Sequence, residues 1–161
     1  MAEPIERIRG GWRLSTDRRR VQVDVVHGFV SSSYWARGIP RAIVERSIEN
    51  SLCFGVYDAG GAGREKQVAF ARVISDFATF AWIADVFVLE EARGRGFSRW
   101  MMEEIAAHPD LQGLRRWILA TRDAHGLYAK SGFLPLAHPE AFLERWVPDF
   151  YSRSAPVASS D

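Results

Sequence analysis

"VFVLEEARGRGFSRWMMEEI", residues 86–105, sets an apolar β-type run against a turn of alternating arginine and glycine, then continues in an amphipathic pattern. Phe97, Trp100, Met101, Ile105 and Ala106 fall near one face of a helix predicted from about Gly94 to His108. Pro109 sits just past its end. The first turn of any helix carries N–H groups without intrahelical acceptors, and the helix dipole adds partial positive charge there. Glycine lets the main chain close around an anion, while Arg93 and Arg95 contribute charge and fixed donors. Residues Arg93 to Ser98 therefore read as a candidate diphosphate cradle. A solvated basic turn is the other reading of the same residues. The turn lacks the third glycine of a dinucleotide fingerprint, and no G-K-[ST] sequence marks a mononucleotide loop.

Working outward, 161 residues suit one domain, placed at residues 1–151, with a small polar tail at 152–161 expected to be disordered. The net charge of +1 gives no global field to recruit nucleic acid or an anionic membrane, so anion binding has to be local. Cys53 is the single cysteine, which excludes an intrachain disulfide and a cysteine-cluster metal site. The four histidines show no ligand spacing, and no metal is expected. Residues 1–11 have no apolar centre for a secretory leader. The longest mostly apolar stretch, Phe77 to Leu89, is broken by Asp85 and too short to span a bilayer. A cytoplasmic location is the expectation.

The remaining periodicities predict a short first strand in "GWRLSTD" and helices at Arg18–Val30 and Arg41–Asn50. Strands follow at Leu52–Tyr57, Gln67–Ile74, Thr79–Leu89 and Leu114–Thr121. A short helix is predicted at Asp123–Ser131, a strand at Phe133–Leu136 and a last helical turn or two in "PEAFLERW". "DAGGAGREK" reads as a hairpin loop. The order β-α-α-β-β-β-α-β-α-β implies a mixed sheet with helices on both faces.

Two blocks then carry a resemblance. Val88 to Ser98, "VLEEARGRGFS", resembles the acetyl-coenzyme A signature of the GNAT superfamily of N-acetyltransferases. Ala124 to Phe133, "AHGLYAKSGF", resembles the family's Ala-x-x-x-Tyr-x-x-x-Gly-Phe block, in the right order and at the right separation. Ser98, Glu90 and Thr121 depart from the commonest residues at their positions. The resemblance implies an α/β (α+β) fold with a mixed, mostly antiparallel sheet of about six to seven strands. It implies transfer of acetyl from acetyl-coenzyme A to a primary amine of a small acceptor, without nucleic acid or membrane as partner. A homodimer is compatible with it, and a non-catalytic coenzyme A-binding domain of the same fold is the alternative.

By resemblance, main-chain amides of Arg93, Gly94, Arg95, Gly96, Phe97 and Ser98 hold the diphosphate. Phe87 and Val88 flank the pantetheine arm, Thr121 stands at a further coenzyme contact, and Tyr128 faces the sulfur as general acid. Asp85 is the only acid in its strand, two residues before Phe87 and so expected on the same face. It is a candidate general base, an anchor for the amine, or a structural hydrogen-bonding group. Tyr34, Trp35 and Arg72 are the acceptor candidates, with Ser33 and Arg37 nearby. Arg72, expected on the side of Val68, Phe70 and Ile74, could instead pair with Asp85 or Asp76.

Overall fold

The β-patterned stretches pair into a single six-stranded sheet in which chain order is also spatial order. The computed structural model describes residues 3–61 and 65–153. The strands are β1 (Glu6–Arg9), β2 (Trp12–Ser15), β3 (Leu52–Asp58), β4 (Lys66–Ser75), β5 (Phe80–Val88) and β6 (Arg116–Leu119). The helices are α1 (Val23–Val30), α2 (Arg41–Glu49), α3 (Phe97–Ala107), α4 (His125–Ala129) and α5 (Phe150–Arg153). Neighbours from β1 to β5 run antiparallel, and β6 joins β5 in parallel after the α3 crossover.

Side chains alternate across a strand, so β3 feeds two cores. Phe54 and Val56 join Ala71, Val73 and Ile83 beneath Trp100, Met101 and Ile105 of α3. Cys53 points the other way and joins Phe70 and Phe87 beneath Val26 and Val30 of α1 and Val44 and Ile48 of α2. Helices thus cover both faces, as expected. Truncating a buried anchor such as Ile105 to alanine removes about 2–5 kcal/mol at sites of this kind.

Four local expectations are corrected. β1 was not anticipated, because all four of its residues are exposed and show no alternation; Gly10 and Gly11, at φ 52° and 83°, turn it into β2. The stretch 18–30 is not one helix. It opens as a 3-10 turn at Arg18–Arg20 and restarts at Val23, because Gln22 is clamped to β4. The Gln22 N–H donates to Gln67 Oε1 at 2.7 Å, and the Gln67 N–H donates to Gln22 Oε1 at 3.1 Å. Phe133–Leu136 forms no strand: Leu134 is 82% exposed, and a cleft of about 380 Å³ lies between Ser131–Leu134 and Met102, Ile105 and Ala106 of α3. "PEAFLERW" contributes only a 3-10 turn at Pro139–Ala141. The tip of the β3–β4 loop and the tail beyond Arg153 lie outside the described residues.

Two bulges interrupt the ladder. Val56 pairs with Ala69 and Tyr57 with Gln67, leaving Val68 surplus in β4. Phe70 pairs with Phe87 and Arg72 with Ala84, so Ala71 faces two residues, Asp85 and Val86. Asp85 adopts φ 51°, a conformation uncommon outside glycine. The pairing of β5 with β6 ends at Ile83 and Leu119, just before this second bulge. Beyond it the two strands part, and among the described residues one edge of β5 has no paired strand.

Candidate active site

The turn at the end of β5 is built by two left-handed glycines. Gly94 and Gly96 take φ 76° and 80°, and a Cβ added to either meets nothing within 4 Å. Glycine is required here for backbone conformation, with open space beside it. The Arg93 N–H donates to the Glu90 carbonyl, closing the 3-10 turn Glu90–Ala92. The N–H groups of Gly94, Arg95, Gly96, Phe97 and Ser98 have no acceptor among the described residues. Gly96 caps α3 without any side-chain bond to the helix N–H groups. Five successive free donors at a helix N-terminus can take a diphosphate, so the residues present fit the cofactor implied above. Arg93, Gly94, Arg95 and Gly96 are exposed, and Phe97 and Ser98 turn inward. The Arg93 Nε donates to the Val88 carbonyl at 3.3 Å, and the Arg95 guanidinium lies 5.6 Å from the Trp12 ring centre.

Where β5 and β6 part, the cleft divides into two chambers. An inner chamber of about 440 Å³ runs past Phe29, Phe87 and Val88 to Arg93 and Ser98 of the cradle. An outer chamber of about 520 Å³ is lined by Arg72, Trp82, Asp85, Thr121, Arg122 and Tyr151. Tyr34, Trp35, Val86 and Tyr128 line both and form the passage between them. The inner wall is rigid where Phe29 stacks on Phe87, with ring centres 4.1 Å apart at 8°.

Asp85 turns its carboxylate toward the α1/α2 face, the side occupied by Phe87. The bulge produces this orientation: Ala84 is the register partner of Arg72, and simple alternation does not run through to Phe87. Asp85 Oδ2 accepts from Arg72 Nε at 2.5 Å and Oδ1 from the Trp35 indole at 3.0 Å, so each oxygen already has a donor. Arg72 also reaches Ser51 Oγ at 3.3 Å. Both side chains of the pair are largely buried. Val68 does not share the face of Arg72 as expected. Its bulge turns it into the α3 core.

Tyr128 is 9% exposed, with its ring edge-on to Phe133 at 6.2 Å. Burial first, then the nearby Tyr34 and Asp123, push its phenol above the ordinary value, so it keeps its proton through neutral pH. The Thr121 hydroxyl is committed locally, accepting the Ala124 N–H at 3.1 Å at the entry to α4. Ser33 is a buried turn residue bonded to Val30, and Arg37 is exposed. Arg122 lines the outer chamber as well, a residue absent from the expectations above. Its N–H donates to the Tyr34 hydroxyl at 3.0 Å and its guanidinium lies 3.9 Å from that ring's centre, strapping the α1–α2 loop across the cleft. Its position directly after Thr121 was the available signal.

The profile of the family described as "Acetyltransferase (GNAT) domain" matches residues 49–135. A Gibberella zeae protein assigned as an acetyltransferase is 32% identical over 149 residues, covering 81% of this chain and 83% of that protein. A Xanthomonas campestris crystal structure assigned to the GNAT acetyltransferases is 53% identical, with a TM-score of 0.82 over 88% of this chain and 96% of that one. A Clostridium acetobutylicum protein solved with acetyl-coenzyme A shares the fold alone: 15% identity, TM-score 0.58, covering 83% and 94% of the two chains.

Proposed function

Because the chain belongs to the GNAT acetyltransferase family, we propose that it is an N-acetyltransferase carrying acetyl from acetyl-coenzyme A to a primary amine by direct attack. One observation carries this reading. Five unengaged N–H groups at Gly94–Ser98 open onto a cleft that leads past Val88 to Tyr128 and Asp85. A fold neighbour that holds acetyl-coenzyme A supports it.

When bound, the coenzyme supplies the thioester. The chain's own groups do the rest. Main-chain donors from Gly94 to Ser98 take the diphosphate, assisted by the Arg93 and Arg95 charges; the Arg93 N–H expected among them is spent on the Glu90 carbonyl. The edge of β5 freed by the bulge offers main-chain groups to an extended arm in the manner of an added strand, beside Phe87 and Val88. An N–H on that edge polarises the reacting carbonyl. Tyr128 stays protonated and buried at the passage, where it gives its proton to the leaving sulfur. Both oxygens of Asp85 carry donors, which favours holding the amine at the passage over taking its proton; that proton leaves to solvent. Arg72 positions Asp85, Trp35 and Tyr34 wall the acceptor side, and Thr121 shapes α4. Near-neutral charge and a lone buried thiol support a small acceptor and a cytoplasmic setting.

The test is thermal stabilisation by acetyl-coenzyme A followed by thiol release with a panel of amines. A ligand that binds only the folded chain must raise Tm. No shift at millimolar coenzyme would overturn the reading.

A further inference from the structure

Building on that reading, the acceptor itself can be narrowed from the outer chamber. Its floor is the α1/α2 face of the β4–β5 hairpin, because Arg72–Ala84 and Ile74–Trp82 are direct cross-strand pairs and share a face. The helices cover only the Phe70–Phe87 end of that face. Past it Trp82 stands half-buried and Ile74 is 38% exposed. The walls are Trp35, 42% exposed, and Tyr34, 44% exposed, with Tyr151 of α5 opposite. Bare aromatic surface in a concave chamber of ligand size calls for a flat apolar group.

The charges set the polar end. Two cations, Arg72 and Arg122, balance two anions, Asp85 and Asp123, so the chamber offers no net attraction to a polycation. Asp85 is the largely buried carboxylate of the two, and among the described residues one of its oxygens accepts only from the neutral Trp35 indole, a donor that a single ammonium can outbid. Trp82 and Asp85 are three residues apart on one strand. This separation is at most about 10 Å at 3.3 Å per residue, the reach of a ring and a short alkyl tether.

We propose that the outer chamber takes an aryl-alkyl monoamine, its ring against Trp82 and Trp35 and its nitrogen at Asp85 beside the passage to Tyr128. The experiment uses the full chain saturated with acetyl-coenzyme A. Thiol release is followed with phenethylamine and tryptamine against spermidine, kanamycin and a short peptide with a free N-terminus. Expected is a kcat/KM at least tenfold higher for the aryl-alkyl amines. Trp82→Ala and the milder Trp82→Leu should raise their KM at least tenfold, with little change in kcat and an unchanged Tm rise on adding coenzyme A. Preference for spermidine, kanamycin or the peptide overturns the proposal, as does an unchanged KM in whichever Trp82 variant folds. If acetyl-coenzyme A raises Tm but the aryl-alkyl amines neither react nor add to the shift, this proposal alone fails. If acetyl-coenzyme A gives no shift, it falls together with the reading beneath it.

Discussion

Replacing Gly96 by alanine separates the folding role of the cradle from its binding role. At φ 80° and ψ 15° alanine sits in the left-handed region, and the added Cβ meets nothing within 4 Å. The folding penalty is therefore conformational alone, about 1–2 kcal/mol. For a domain of this length that lowers Tm by about 2–8 °C, at 2–4 °C per kcal/mol. Gly113, at φ 75° and equally open, lies in the turn before β6 away from the cleft, so Gly113→Ala should lose a similar amount. The two variants part in coenzyme binding. At residue 96 the methyl stands among the free N–H groups and displaces a phosphate oxygen from one of them. One charged hydrogen bond lost is worth about 1.5–3 kcal/mol, a ten- to hundredfold weaker Kd. Thermal melts and titration calorimetry with coenzyme A measure both quantities. Equal loss of Tm in the two variants, with wild-type affinity in both, would refute the cradle.

Three further outcomes are expected. Tyr128→Phe should lower kcat at least tenfold and leave the Kd for coenzyme A unchanged; an unaltered kcat removes Tyr128 from proton transfer. Arg72→Met strands the largely buried Asp85 beside a single neutral donor and should cost about 3 kcal/mol, while adding Asp85→Leu recovers most of it. A melting point for Arg72→Met within about 2 °C of wild type contradicts the pair's role. Burial pushes the Cys53 thiol up to about 12 from its ordinary 9.0. Above pH 9 the unfolded chain gives up a proton that the native chain keeps, so stability falls as pH rises, by about 1.4 kcal/mol per pH unit until about pH 12. Urea melts between pH 8.5 and 10 should show this slope in the wild type and lose it in Cys53→Ala; an identical slope in both sinks the assignment.

What could be read from the sequence was what neighbouring residues decide. The Arg-Gly turn, the face of α3 and the hairpin strands depend on local periodicity and on glycine, and they stand where expected, except that Met102 is buried in α3 and Ala106 is exposed. The break at Gln22 escaped notice because its cause, Gln67, lies 45 residues away. β1 escaped because an exposed edge strand has no reason to alternate. In the cleft, Tyr34, Trp35, Arg72, Asp85 and Tyr128 were all identifiable by type. Their partnerships were not, since Trp35 meets Asp85 and Tyr34 meets Arg122 only through tertiary folding. The bulge at Asp85 was equally illegible, because it is a mismatch of count between two strands and neither strand shows it alone.

That mismatch makes β5 sensitive to length more than to composition. Were Val86 deleted, Ala84 and Phe87 would keep Arg72 and Phe70 as partners, but Asp85 would face Ala71 on the α3 side and leave Arg72 and Trp35, and β6 could zip onward along the restored ladder. Point changes along this strand should grade activity up or down, whereas a single-codon deletion should switch it off while leaving a better-hydrogen-bonded sheet.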